Sequence, residues 1–79
     1  MHITAAQCRA ARALVELDQA ELAKRSNLSR NTIVDFEKGR RLPGTNNLSA
    51  IQSALEAAGV VFLDTGKVAT GPGVALRGD

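Results

Sequence analysis

Residues 19–38 read QAELAKRSNLSRNTIVDFEK, and this stretch decides the fold. Asp18-Gln19-Ala20-Glu21 has the spacing of a capping box and opens a short helix running to about Arg25. Leu22 and Ala23 are its core residues. Asn27 follows where the chain needs a left-handed conformation, which Asn tolerates better than most non-glycine residues. Leu28 plugs the turn into the core, and Ser29 caps the next helix, about Arg30 to Lys38. Ile33 and Phe36 share the inner face of that helix, and Gly39 stops it. Two short amphipathic helices joined by a tight polar turn make a helix-turn-helix unit.

The flanking sequence supports this unit. Thr4-Ala5-Ala6-Gln7 is another capping box, opening a helix from Ala5 to about Leu17. Cys8, Ala11 and Val15 recur there at helical spacing and face inward, while Arg9 and Ala13 face outward. A basic loop, Arg40 to Gly44, leads to a fourth helix that opens at Thr45 or Asn46 and runs to about Ala58. Leu48, Ile51 and Leu55 form its inward stripe, and Gly59 ends it. Residues 60–63, Val-Val-Phe-Leu, then read as a strand, residues 64–73 as a loop, and residues 74–77 as a second strand. The expected fold is mainly α: a four-helix domain over residues 1–59, with a C-terminal strand or hairpin over 60–79.

Composition narrows the classes. Seventy-nine residues, 44% of them hydrophobic, make one compact but marginal domain that gains from pairing with another chain. The single cysteine, Cys8, excludes an intrachain disulfide and fits a reducing, cytoplasmic setting. No stretch approaches membrane-spanning length, and the first residues lack signal-peptide order. Enzyme chemistry is not expected. His2 is the only histidine and sits at a frayed end. Cys8 has no companion base, and no metal-ligand cluster or phosphate loop is visible. No cofactor, metal or small-molecule ligand is therefore expected. Net charge is only +2, so charge placement matters more than the total.

That placement points to double-stranded DNA. With Ile33 and Phe36 buried, steps of about 100° per residue turn Arg30, Asn31 and Val34 away from the core, with Asp35 at the margin. Arg can bridge guanine O6 and N7, and Asn can bridge adenine N6 and N7. Ser29, Arg30, Asn31, Val34 and Asp35 are the candidate base contacts, Asp35 as an acceptor from cytosine or a specificity filter. Gln19, Thr32, Lys38, Arg40, Arg41, Asn46 and Asn47 are the candidate phosphate contacts. The N-terminus of the second helix adds free N–H groups suited to a phosphate.

Gln19-Ala20-Glu21-Leu22-Ala23, Leu28-Ser29, Ile33 and Phe36-Glu37-Lys38-Gly39-Arg40 together closely resemble the Cro/CI-type helix-turn-helix family of phage repressors and bacterial regulators. The resemblance runs from about Ile3 to Ala58. It implies a lambda-repressor-like domain that binds an operator, usually as a dimer. It implies a phosphate contact for Gln19 and places Ser29, Arg30 and Asn31 at the head of the recognition helix. Arg12 and Glu37 match a family ion pair between the first and third helices. Charge physics agrees, since both lie near the inner edge of their helices. Asn27 stands where the family most often has Gly.

The tail reads as a pairing device. Val61 and Leu63, and Val74 and Leu76, give each strand one apolar face. An isolated hairpin has open edges that a second chain's hairpin can satisfy, the alternative being that it folds back onto its own fourth helix. Pairing would set two recognition helices one duplex turn apart, about 34 Å, to match a palindromic operator. The sequence thus reads as a dimeric, sequence-specific regulator of transcription, simplest as a repressor. The alternative is a protein-binding module on the same scaffold, an antiactivator or antitoxin that sequesters a partner protein.

Overall fold

Side-chain caps set the start of three helices. Thr4 Oγ1 accepts from Gln7 N at 3.0 Å, and Thr4 N donates to Gln7 Oε1 at 2.9 Å, so the first capping box is complete. Asp18 Oδ1 accepts from Glu21 N at 2.7 Å, but Glu21 does not return the bond, so Asp18 caps alone. Ser29 Oγ accepts from Thr32 N at 3.2 Å. The fourth helix starts after Gly44, which has no side chain to cap it. In the computed structural model, which describes residues 2–64 and 71–78, the elements are α1 (Ala5–Val15), α2 (Gln19–Ser26), α3 (Arg30–Glu37), α4 (Thr45–Ala57), β1 (Val60–Leu63) and β2 (Gly73–Leu76). The loop expected between the strands lies mostly outside the described residues.

One device ends three of the helices. Glu16, Asn27 and Gly39 each adopt a left-handed conformation, with φ of 57°, 58° and 74°. In each case the next N–H reaches back five residues: Leu17 to Arg12 O, Leu28 to Ala23 O, and Arg40 to Asp35 O. This pattern satisfies carbonyls that a helix end leaves open. Asn27 and Gly39 were legible as such positions. Glu16 was not, and α1 ends at Val15 rather than near Leu17. The reason is that Arg12 holds the turn: its Nη1 donates to Leu17 O at 3.1 Å.

The helices surround one core. Cys8, Ala11, Leu22, Ile33, Ile51 and Leu55 are fully buried, with Ile3, Ala23, Phe36, Leu48 and Val60 nearly so. Val15, Leu17 and Leu28 pack against this cluster from its margin. Among the described residues, no helix is long and apolar enough to cross a membrane.

β1 and β2 form an antiparallel hairpin, with Val60 opposite Leu76, Val61 opposite Ala75, Phe62 opposite Val74 and Leu63 opposite Gly73. β2 starts one residue earlier than expected, because Gly73 still pairs with Leu63. The hairpin folds back onto α1 and α4 of its own chain. Paired residues share a face. Val60, Phe62 and Val74 pack into the core, so Val61 and Leu63 point the other way. The expected apolar pairing set, Val61, Leu63, Val74 and Leu76, is thus split between two faces. Val74 belongs to the chain's own core, while Val61 and Leu76 remain exposed at 38% and 55%.

Gln7 fastens this hairpin. Beyond its capping role, its Nε2 donates to Gly73 O at 3.0 Å and to Leu63 O at 3.3 Å. Arg77 closes the other end, its N donating to Gly59 O and its Nη2 to Glu56 O.

Candidate nucleic-acid interface

α3 has two unlike faces. Ile33, Phe36, Thr32 and Glu37 are buried. Arg30 and Asn31 are exposed at its N-terminal end, and Val34 and Asp35 are half-buried one turn on. A helix inserted by its N-terminal end would therefore present an arginine and an asparagine first. Lys38, Arg40 and Arg41 follow on the exposed turn after α3, and Asn46 and Asn47 are exposed in the first turn of α4. Four cations, Arg30, Lys38, Arg40 and Arg41, thus accompany Asp35 along this segment, while its other carboxylate, Glu37, is buried.

Three of the expected contact residues are engaged within the chain. Thr32 is buried and its hydroxyl bonds Ser29 Oγ at 2.9 Å, so it faces the turn. Ser29 is exposed, but its hydroxyl is already engaged by Thr32 N and Thr32 Oγ1. Gln19, expected at a phosphate, has its amide turned to Glu37 and Arg30. The N-terminus of α2 also differs from the expected anion site, because the Asp18 carboxylate already occupies one N–H and Glu21 adds a second acid to the first turn. Both carboxylates oppose a phosphate there.

The third helix is pinned from beneath by an ion pair. Arg12 Nε donates to Glu37 Oε2 and Arg12 Nη2 to Glu37 Oε1, each at 2.7 Å. This two-pronged geometry is among the stronger charge-assisted arrangements. Cys8 Sγ donates to Oε2 at 3.1 Å and Gln19 Nε2 to Oε1 at 3.0 Å. Glu37 is only 3% exposed, and burial by itself pushes its pKa up. The hydrogen bonds from Arg12, Cys8 and Gln19 outweigh that and hold the carboxyl below its ordinary range. The same contact, led by the hydrogen bond to Glu37, raises the Arg12 pKa. Burial, then the bond to Glu37, pushes the Cys8 thiol far up, so Cys8 stays a neutral donor.

The family resemblance pointed to Arg12 and Glu37, but the roles of Cys8, Arg9 and Gln7 lie outside it. Cys8 was read only as a small core residue, yet its thiol is a donor to the ion pair. Arg9, read as outward, is exposed but donates Nη1 to Glu37 O at the end of α3. Gln7 carried a usable signal: it lies one helical turn before Ala11, on the inward stripe, where a long polar side chain must find buried partners.

A bundle whose third helix shows its N-terminal end to solvent, beside a basic turn, defines a helix-turn-helix DNA-binding domain. The helix-turn-helix profile of the Cro/CI type matches residues 9–58, well over half of the chain, and the protein belongs to that family of DNA-binding transcriptional regulators. The match begins within α1 and stops just before the hairpin. No curated protein matches the chain at a significant level.

Proposed function

We propose that the protein is a repressor that occupies a palindromic operator as a homodimer. Arg30 and Asn31 are its leading base contacts. Val34 and Asp35 line the groove one turn later, and Lys38, Arg40, Arg41, Asn46 and Asn47 grip the flanking phosphates. The observation that carries this reading is the solvent exposure of Arg30 and Asn31 at the head of α3, with the chain's own hairpin seated on α1 and α4 instead.

Pairing through the hairpin is supported by two features. Each strand of a two-stranded sheet has one open edge, and Val61 and Leu76 are large apolar side chains left in solvent. A helix-turn-helix bundle seated on an operator represses most simply by covering a promoter.

Selection of bound sequences from a random DNA pool tests the proposal directly. Two mirrored half-sites with centres about 34 Å apart, or a multiple of that, are expected. A single unrepeated site would remove the dimeric operator. Failure to enrich any sequence, together with capture of a protein partner that is lost in Val61→Glu, would favour the partner-sequestering module.

A further inference from the structure

A cavity of about 290 Å³ lies beside the basic turn, lined by the entry to α1, the end of α3 and the turn itself. Ile3, Ala5, Phe36 and Leu42 supply its apolar walls, and Thr4 and Arg41 its polar groups. Leu42 is 77% exposed, the most of any large apolar side chain among the described residues. Pro43 is buried just after it, so the turn that carries Arg41 and Leu42 is tied to the interior. Arg41 has no hydrogen-bond or ion-pair partner among the described residues, and no carboxylate lines the cavity among them. The Thr4 hydroxyl accepts from Gln7 N at 3.0 Å, which leaves its own O–H free to donate. Apolar walls with a few convergent polar groups are the usual make-up of a small-ligand site, and the volume is close to the lower end of that class. The lining joins Ile3 to Leu42 across the packing of α1 on α3, so no local pattern in the sequence announces it.

We propose that this cavity binds a small apolar carboxylate, and that the bound carboxylate competes with operator phosphate for Arg41. An apolar body fills the cavity and covers Leu42, while the carboxylate meets the guanidinium fork and the Thr4 hydroxyl. A compact anion would meet the same arginine but leave the apolar walls wet. The first turn of α1 holds no acid, so nothing there repels the negative group. The binding step stands on the cavity alone. The competition rests on the reading of Arg41 as a phosphate contact, since one guanidinium cannot neutralise both anions. Linkage makes the effect reciprocal: operator DNA lowers affinity for the carboxylate by the same factor.

Hexanoate tests the binding without DNA, beside acetate and hexanol, which each lack one half of it. Amide shifts of the whole chain, titrated at matched ionic strength, should move around residues 3–5 and 39–42. Hexanoate should bind at least about tenfold more tightly than acetate, through its buried methylenes. It should bind about two- to fivefold more tightly than hexanol, the worth of a partly exposed ion pair. Arg41→Ala should bring hexanoate to the level of hexanol, and Leu42→Ser should weaken both. Equal binding of acetate, equal binding of hexanol, or shifts centred elsewhere would overturn the site. On the selected operator, saturating hexanoate should reduce affinity as far as Arg41→Ala does and lower the salt slope by about one unit for each protomer. The Arg41→Ala protein should no longer respond to it. Hexanoate that binds as expected yet leaves operator affinity unchanged would overturn the competition. If Arg41→Ala itself leaves operator affinity unchanged, the phosphate reading of Arg41 falls first and the competition falls with it, while the DNA-free titrations still decide the site.

Discussion

At the scale of single residues, the charge that matters most for stability is hidden. Glu37 is 3% exposed, and Arg12 supplies two of the four hydrogen bonds its carboxylate receives. Removing Arg12 leaves a buried carboxylate with only neutral donors. Arg12 keeps a fifth of its side-chain surface, so Arg12→Ala is expected to cost about 2–3 kcal/mol, below the 3–5 typical of fully buried pairs. Arg9 is exposed and gives one bond to a backbone carbonyl, so Arg9→Ala should cost much less. Equal denaturation midpoints for the two variants would contradict the assignment. The same carboxylate makes stability depend on pH. Its folded pKa lies below the ordinary glutamate value of about 4.3, so the unfolded chain takes up the proton first as pH falls. The contribution is complete above about pH 4.3 and is lost as pH drops toward the folded value. Thermal midpoints followed from about pH 6 to about pH 3 should therefore fall more steeply for the native chain than for Glu37→Gln. Parallel curves would show that the acid sensitivity arises elsewhere.

At the scale of elements, three helices share one ending but not one residue type. Gly39 adopts its left-handed conformation without steric cost, Asn27 at modest cost, and Glu16 at about 1 kcal/mol or more. Glu16→Gly should therefore raise the thermal midpoint by a few degrees, even after the looser unfolded chain is counted, and by more than Asn27→Gly does. The reverse order would mean that Glu16 is held by something other than backbone geometry. Gln7 makes a second element-level case. Its replacement by Ala leaves Leu63 O and Gly73 O without their side-chain donor. A loss of about 1–3 kcal/mol is expected, with faster amide exchange concentrated in β1 and β2. Uniform exchange throughout the chain would argue against a clamp specific to the hairpin. These elements also show what a sequence can disclose. Caps, inward stripes and Gly39 follow from local chemistry, so the helices and the exposed pair Arg30 and Asn31 were legible. The bonds of Gln7 to the hairpin, of Cys8 to Glu37 and of Gln19 to both Glu37 and Arg30 join residues 11 to 66 positions apart. No periodicity reports such contacts, because they depend on how the helices dock. The faces of the hairpin were misassigned for a related reason: alternation defines two faces, and only the register with the partner strand says which one the core takes.

At the scale of the whole molecule, the proposed dimer has a measurable electrostatic signature. Binding a duplex releases condensed counterions, and log affinity falls against log salt with a slope of about −0.9 for each phosphate neutralised. Lys38, Arg40 and Arg41 are the exposed cations assigned to phosphate, which gives about −3 for one protomer and about −5 to −6 for two on a palindrome. Val61 is the apolar residue best placed to separate these cases. It is 38% exposed and lies on the hairpin face turned away from the core, so a charge there disturbs pairing between chains more than folding within one. Val61→Glu should reduce the sedimentation mass from about twice 8.3 kDa to 8.3 kDa at micromolar concentration, while leaving helix content intact. It should also roughly halve the salt slope on the full operator and leave the slope on a half-site unchanged. Arg41→Ala, by contrast, should lower the slope by about one unit for each protomer bound, without changing base preference. A Val61→Glu protein that keeps the full slope and the doubled mass would place the pairing surface somewhere other than the hairpin. A native chain that is monomeric and has the single-protomer slope would remove pairing altogether, while leaving the recognition helix untouched.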